Sequence, residues 1–125
     1  MNQYSFEPPV MPHLPPVDNY TRFLEMESDH TYLKYLYPKI PRQINEFVEE
    51  QCDQMEQEGS LMFDLFPDKT ALQIMAGGIL RDFQKKYPDA YPEETTLLRD
   101  IIEVVLFHEI MHRRNRYRNH RRLYL

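Results

Sequence analysis

Between residues 97 and 111, apolar side chains recur at the three- and four-residue spacing of an α-helix and cover most of its circumference. A helix with so little polar surface must be surrounded by other elements, so this segment predicts the central helix of a bundle. Pro92 suits the first turn of such a helix, and Glu93 and Glu94 suit the positive end of its dipole. The apolar positions are Leu97, Leu98, Ile101, Ile102, Val104, Val105, Phe107, Ile110 and Met111.

The remaining sequence also favours helices, and no segment alternates apolar and polar residues as a strand does. Amphipathic helices are predicted over residues 41–59 and about 67–86, and two shorter helical pieces within residues 18–38, with Asp18 as the first N-cap. Gly77-Gly78 lies inside the 67–86 helix and predicts a close helix crossing or a kink, because each glycine is unfavourable there by ~1 kcal/mol against alanine. The chain should therefore form an all-α fold, a compact bundle of three to four main helices.

Proline and arginine mark the two ends of the chain. Five of the ten prolines fall at positions 8, 9, 12, 15 and 16, which favours an extended Pro-rich N-terminal arm because proline fixes φ and lacks an N–H. We divide the chain into this arm over residues 1–17, a helical bundle domain over residues 18–112, and an Arg-rich tail over residues 113–125 that continues the last helix.

The charge is split between the body and this tail. Residues 1–112 carry a net charge of −11 and residues 113–125 a net charge of +6, which together give the −5 of the whole chain. Such asymmetry favours a non-enzymatic interaction module that binds a second copy of itself, an acidic protein partner or nucleic acid. The predicted binding residues are Arg113, Arg114, Arg116, Tyr117, Arg118, Arg121 and Arg122.

The segment from His108 to His112 carries the one motif with a catalytic alternative. Two histidines four residues apart on a helix can bind zinc, and the intervening Glu109 would then be the general base of a zinc-dependent hydrolase or peptidase. No acidic residue follows His112 to complete such a site, and Arg113-Arg114 would put positive charge beside the ion. The competing interpretation is that both histidines lie within the apolar arc and pack there, hydrogen-bonded to carboxylates or backbone.

A second metal pattern is Glu-x-x-His, which occurs at Glu27–His30 and again at Glu109–His112. Di-iron bundles use two such pairs together with a glutamate from each of two further helices. As a carboxylate ligand from a further helix, the helix predicted over residues 67–86 offers only Asp82. We therefore predict no cofactor, with zinc as the alternative.

Composition narrows the classes of protein to which this chain can belong. The single cysteine, Cys52, excludes an internal disulfide and a Cys-rich zinc site, and it is expected to be half-buried on a helix. No apolar run approaches the ~18 residues that a membrane span needs. The first residues lack the basic start and apolar run of a secretory signal, so a reducing, cytoplasmic location is predicted.

Four segments in the middle and at the end of the chain are distinctive: YPKI at residues 37–40, QCDQME at 51–56, GSLMFD at 59–64 followed by Pro67-Asp68, and LRDIIEV at 98–104. Together with the Arg-rich ending they resemble a family of small uncharacterised proteins from Clostridia, over residues 30–122. The resemblance implies no activity and transfers no functional residue. The family is marked by its Arg-rich ending more than by a histidine pair, which disfavours a metal site.

Overall fold

The computed structural model of the protein describes residues 18–89 and 95–124. They form helices α1 (Asn19–Tyr35), α2 (Lys39–Met55), α3 (Lys69–Lys86) and α4 (Thr95–Tyr124), with a short 3-10 turn at Leu61–Phe63. The described residues contain no strand, which confirms the predicted all-α bundle. The predicted arm over residues 1–17 and the predicted helix start near Pro92 lie outside the described residues.

The helix boundaries follow local capping chemistry. The Asp18 side chain accepts a hydrogen bond from the Thr21 backbone N–H at 2.7 Å, which confirms it as the N-cap of α1. Asp68 caps α3 in the same way through Ala71 at 2.9 Å. Where two short helices were predicted, α1 is one continuous helix, because no proline or glycine interrupts residues 19–35.

The core lies between α2, α3 and α4, and α4 packs against each of the other helices. This confirms α4 as the central helix. None of the residues of α1, all of which are described, is buried, so α1 lies on the surface of α4. The largest fully buried side chains are Ile44, Val48, Cys52, Met62, Phe83, Leu98, Ile102 and Leu106.

Cys52 differs from the sequence prediction of a half-buried residue. It is 0% exposed, because its position on α2 is four residues after the buried Val48 and on the same face. Burial raises the pKa of the thiol to about 12. The thiolate is therefore a negligible fraction of this side chain at neutral pH.

Gly77-Gly78 also differs from its prediction, because no helix backbone approaches either residue closely. A methyl group built on Gly77 meets only the ends of the Arg81 and Arg99 side chains, at 3.8 and 3.9 Å. On Gly78 it meets only Arg81, at 3.7 Å. The helix is continuous through both positions.

We therefore expect Gly77→Ala and Gly78→Ala each to stabilise the protein by about 0.5–1 kcal/mol, since alanine removes backbone freedom from the unfolded chain and clashes with nothing. Urea unfolding at neutral pH measures the effect. Gly59→Ala is the matched control: Gly59 has a φ of 83°, a backbone conformation that disfavours alanine, so this variant should lose stability.

Candidate functional site

The polar centre of the molecule is a pair of charged residues on the inner face of α4. Glu109 is 3% exposed and Arg113 is 5% exposed, and the Arg113 Nε donates to Glu109 Oε1 at 2.9 Å. Glu109 follows the buried Ile102 by seven residues, and Arg113 follows the buried Leu106 by seven, so both share the core face of the helix. Their burial was not predicted, although this spacing is the sequence signal for it.

The pair joins three helices through its other contacts. The Arg113 Nη1 donates to Asp53 at 2.7 Å and to Glu56 at 3.1 Å, at the end of α2. From α1, the Lys34 Nζ lies 3.3 Å from Glu109 Oε2 and also pairs with Glu49 of α2. These ion pairs fasten α1, which has no buried residue, to the rest of the bundle.

Neighbouring groups keep both Glu109 and Arg113 ionised. Burial alone would raise the pKa of Glu109, but the hydrogen bond from Arg113 and the charge of Lys34 outweigh it and lower that pKa below its usual value. Burial likewise disfavours the charged form of Arg113, yet its hydrogen bonds to Glu109 and Asp53 raise its pKa. Both groups are therefore ionised at neutral pH, and each compensates the other.

Three imidazole rings lie beside this pair at the contact of α1 and α4. The His30 ring stacks on that of His112, with centroids 3.4 Å apart and planes inclined by 6°, and lies 5.7 Å from that of His108. His112 Nε2 is 3.0 Å from a carboxylate oxygen of Glu27, and His30 Nε2 is 3.3 Å from one of Glu109. The two Glu-x-x-His segments thus meet and pair crosswise, each glutamate with the histidine of the other helix.

His108 was predicted to lie inside the apolar arc and away from solvent, and the predicted shielding from solvent is wrong. It is exposed, and its Nδ1 lies 3.5 Å from the Tyr37 hydroxyl at the rim of the bundle. The apolar arc of α4 is wider than the face that the other helices cover, so a residue can belong to that arc and still face solvent. His112 is half-buried, and its carboxylate partner agrees with the packing interpretation.

The geometry places Glu109 poorly for the role of a general base. Its carboxylate oxygens accept from Arg113, Lys34 and His30, and its side chain is 4% exposed. Within residues 18–89 and 95–124, no three His, Cys, Asp or Glu side chains converge as a metal site would require. The zinc alternative stays a prediction, and the chemistry visible in the cluster is ion pairing and ring stacking.

The paired histidines predict a loss of stability in mild acid. Burial lowers the pKa of both His30 and His112 below the ordinary value of 6.5, so below about pH 6.5 the unfolded chain binds protons that the folded protein does not. We expect the free energy of unfolding, measured with urea, to fall as the pH is lowered through this range. Glu109 acts in the same direction below its ordinary value of 4.5, since its folded pKa is also lowered.

A single substitution isolates the contribution of the stack. His30→Asn removes one ring of the stack and should flatten the pH dependence between about pH 7.5 and about pH 5.5. Equal slopes in the wild-type protein and the variant would contradict this account of the stack.

The predicted binding residues of the tail separate into two groups. The first four turn toward the bundle: Arg113 is buried, Arg116 pairs with Glu56 at 2.6 Å, and the Tyr117 hydroxyl donates to Glu58 at 2.8 Å. Arg114 donates to the Met62 carbonyl at 2.7 Å. The other three, Arg118, Arg121 and Arg122, are exposed.

An apolar surface that the sequence analysis assigned to the core lies on the opposite side of α4. We call it the outer stripe: Leu97, Val104, Phe107 and Met111, which are 54%, 67%, 39% and 56% exposed. Residues 97, 104 and 111 are seven apart and so lie on one face of the helix. An open groove of about 450 Å³, lined by Pro41, Ile101 and Val105, borders the stripe.

Comparison with known proteins adds no family to these observations: no family model, curated protein or solved structure matches the chain. No helix among residues 18–89 and 95–124 combines the length and apolar character needed to cross a membrane. The two faces of α4 are the features that bear on function: the buried charged residues on its inner face and the outer stripe on the opposite face.

Proposed function

We propose that this protein is a non-enzymatic interaction module that binds a protein partner through the outer stripe and the exposed arginines that follow it. The observation that carries the proposal is the exposure of four large apolar side chains on one face of the central helix. Scattered apolar residues are normal on a surface, but a continuous apolar strip with a polar rim is typical of an interaction site.

The direction of the strip along α4 indicates what kind of partner suits it. Asp100 precedes its middle, whereas Arg118, Arg121 and Arg122 follow it, and all four are exposed. An apolar helix or ridge with acidic groups at one end would meet complementary chemistry along the whole length. Arg113, Arg114 and Arg116, at the start of the tail, do not contribute to this surface in the same way. Their partners within the bundle fix the position of α4.

Glu109, Arg113 and Lys34 form a polar cluster whose role is structural, which supports the same proposal. Their ion pairs hold α1 against α2 and α4, and these charges neutralise one another. Removing any one of them is expected to weaken folding before it alters any chemistry. The function is therefore proposed for the outer surface of α4.

Position-specific photocross-linking in cells of the source organism tests the proposal. A benzophenone amino acid is placed at Val104, which is 67% exposed on the outer stripe, and in a second protein at Ile74, which is 68% exposed on α3. Irradiation should give a discrete cross-linked protein from position 104 and not from position 74. Adding Met111→Glu to the position-104 protein should remove the product, because the charge interrupts the stripe.

Two results would contradict the proposal. The first is an equal yield from positions 104 and 74, which would mean that the stripe contacts other proteins only at random. The second is the absence of a protein product together with tight binding of a single-stranded RNA oligonucleotide that Arg118→Ala and Arg122→Ala abolish. That second outcome would assign the exposed arginines to nucleic acid.

A further inference from the structure

We infer that the partner on the outer stripe is a second copy of this chain, bound with its α4 antiparallel to the first. This inference rests on the proposed function and names the partner. It is argued from the order of apolar and charged residues along α4, all of them within the described part of the chain.

The outer face of α4 carries a heptad pattern over four repeats. Counting from Leu97, one set of heptad positions is Leu97, Val104, Met111 and Arg118, and the set three residues later is Asp100, Phe107, Arg114 and Arg121. Of these, Arg114 offers only its stem to the seam, because its guanidinium turns toward the bundle. These two sets form the contact seam when helices pack side by side in a coiled coil. The pattern is apolar in the middle, acidic toward the start and basic toward the end.

This order suits only one relative direction of two identical helices. In a parallel pair, Arg118 would face its own copy and Asp100 would face its own copy, so like charges would meet at both ends. In an antiparallel pair, the acidic start of each helix meets the basic end of the other. The charge pattern therefore favours a symmetric antiparallel dimer, in which both copies use the same surface.

The heptads also fix a register for that dimer. A two-fold axis between Phe107 and Met111 places each phenylalanine against the methionine of the other copy, a contact that the soft sulfur of methionine favours. The same axis places Asp100 opposite Arg118, and Leu97 along the aliphatic stem of Arg121. One choice of axis thus aligns the Phe107–Met111, Asp100–Arg118 and Leu97–Arg121 pairs. It also sets Val104 against the aliphatic stem of Arg114, whose guanidinium is held by the Met62 carbonyl.

The length of the outer face suits a weak, concentration-dependent dimer. The segment from Leu97 to Arg122 is about 38 Å long at about 1.5 Å per residue, and a helix with its side chains is about 10–12 Å wide. Such a strip has a footprint of about 400 Å² on each copy, at the small, transient end of protein interfaces. The open groove beside the stripe leaves room for side chains of the second copy.

Molar mass in solution tests this inference on the full chain. Light scattering after gel filtration should give twice the 15.2 kDa of one chain at high protein concentration and shift toward one chain on dilution. Phe107→Glu should weaken the dimer by about 100-fold, because a central anchor becomes a buried charge. Ile74→Glu, at an apolar position on α3 that is 68% exposed and outside the outer stripe, should leave the dimer unchanged.

A charge swap tests the antiparallel direction. Asp100→Arg alone should weaken association by about tenfold, since it faces Arg118 of the other copy, and Arg118→Asp alone should do the same through Asp100. The double variant carrying both substitutions restores the opposite-charge pairs and should return to wild-type affinity. Circular dichroism confirms that each variant keeps its helix content.

A single-chain mass at every concentration would overturn the inference, as would a dimer that Phe107→Glu leaves intact. Failure of the double variant to recover would overturn the antiparallel direction. The dimer can fail while the proposed function stands. This is the case if the protein is monomeric and the cross-link from position 104 joins a different protein. Absence of any specific cross-link at position 104 removes both.

Discussion

Arg113→Ala is expected to lower the free energy of unfolding by about 3 kcal/mol, since it leaves the buried Glu109 without its main partner. The loss falls at the lower end of the range for a broken buried ion pair, because Lys34 and His30 still contact the Glu109 carboxylate. Urea unfolding followed by circular dichroism at neutral pH measures it. Arg118→Ala, an exposed arginine of the same helix, is the matched control and should change stability by less than about 0.5 kcal/mol at a concentration where the protein is a single chain.

A double substitution distinguishes two physical causes of that loss of stability. If the cost comes from an uncompensated charge, then Arg113→Met combined with Glu109→Leu should recover most of the stability, because no charge is left unpaired in the interior. If the pair itself supplied the stability, the double variant would be as weak as the single one. A loss below about 0.5 kcal/mol for Arg113→Ala would contradict the central position that we give this residue.

Leu106→Ala should cost about 3–5 kcal/mol, which makes it the second large effect. Leu106 is 0% exposed on the inner face of α4, so alanine leaves a cavity that the packed core fills only in part. Leu97→Ala is the same change on the same helix at a position 54% exposed, and it should cost less than about 1 kcal/mol.

Thermal unfolding of the two leucine variants, at a concentration where the protein is a single chain, reads out this difference. Dilution matters because Leu97 belongs to the outer stripe and would gain a partner in a dimer. Similar losses for both variants would mean that the two faces of α4 do not differ in burial. That result would contradict the arrangement on which the proposed function depends.

Much of the fold could be predicted from local pattern. The apolar spacing of residues 97–111 predicted the central helix, Asp18 predicted the start of α1, and proline and glycine predicted the breaks around α2. These features depend on neighbours within a few residues, which the sequence states directly. The helix of residues 113–124 also follows the prediction that the tail continues α4.

The site was harder to predict because it depends on which face of α4 is covered. The wide apolar arc suggested a helix buried all round, yet α1 contributes no buried side chain and leaves Val104 and Met111 exposed. The partners of Arg113 and Arg116 could not be predicted either, because they are Asp53 and Glu56 at the acidic end of α2. Such contacts join residues about 60 positions apart and follow from tertiary packing, which local spacing does not report.

The central claim is that one face of α4 builds the core while the other is covered by a partner in the cell. Oxidation of methionine by peroxide measures both faces at once, because Met62 is 0% exposed in the core and Met111 is 56% exposed on the outer stripe. In dilute purified protein, Met111 should oxidise much faster than Met62. In intact cells, the account predicts that the Met111 rate falls several-fold toward that of Met62, and an unchanged Met111 rate would contradict it.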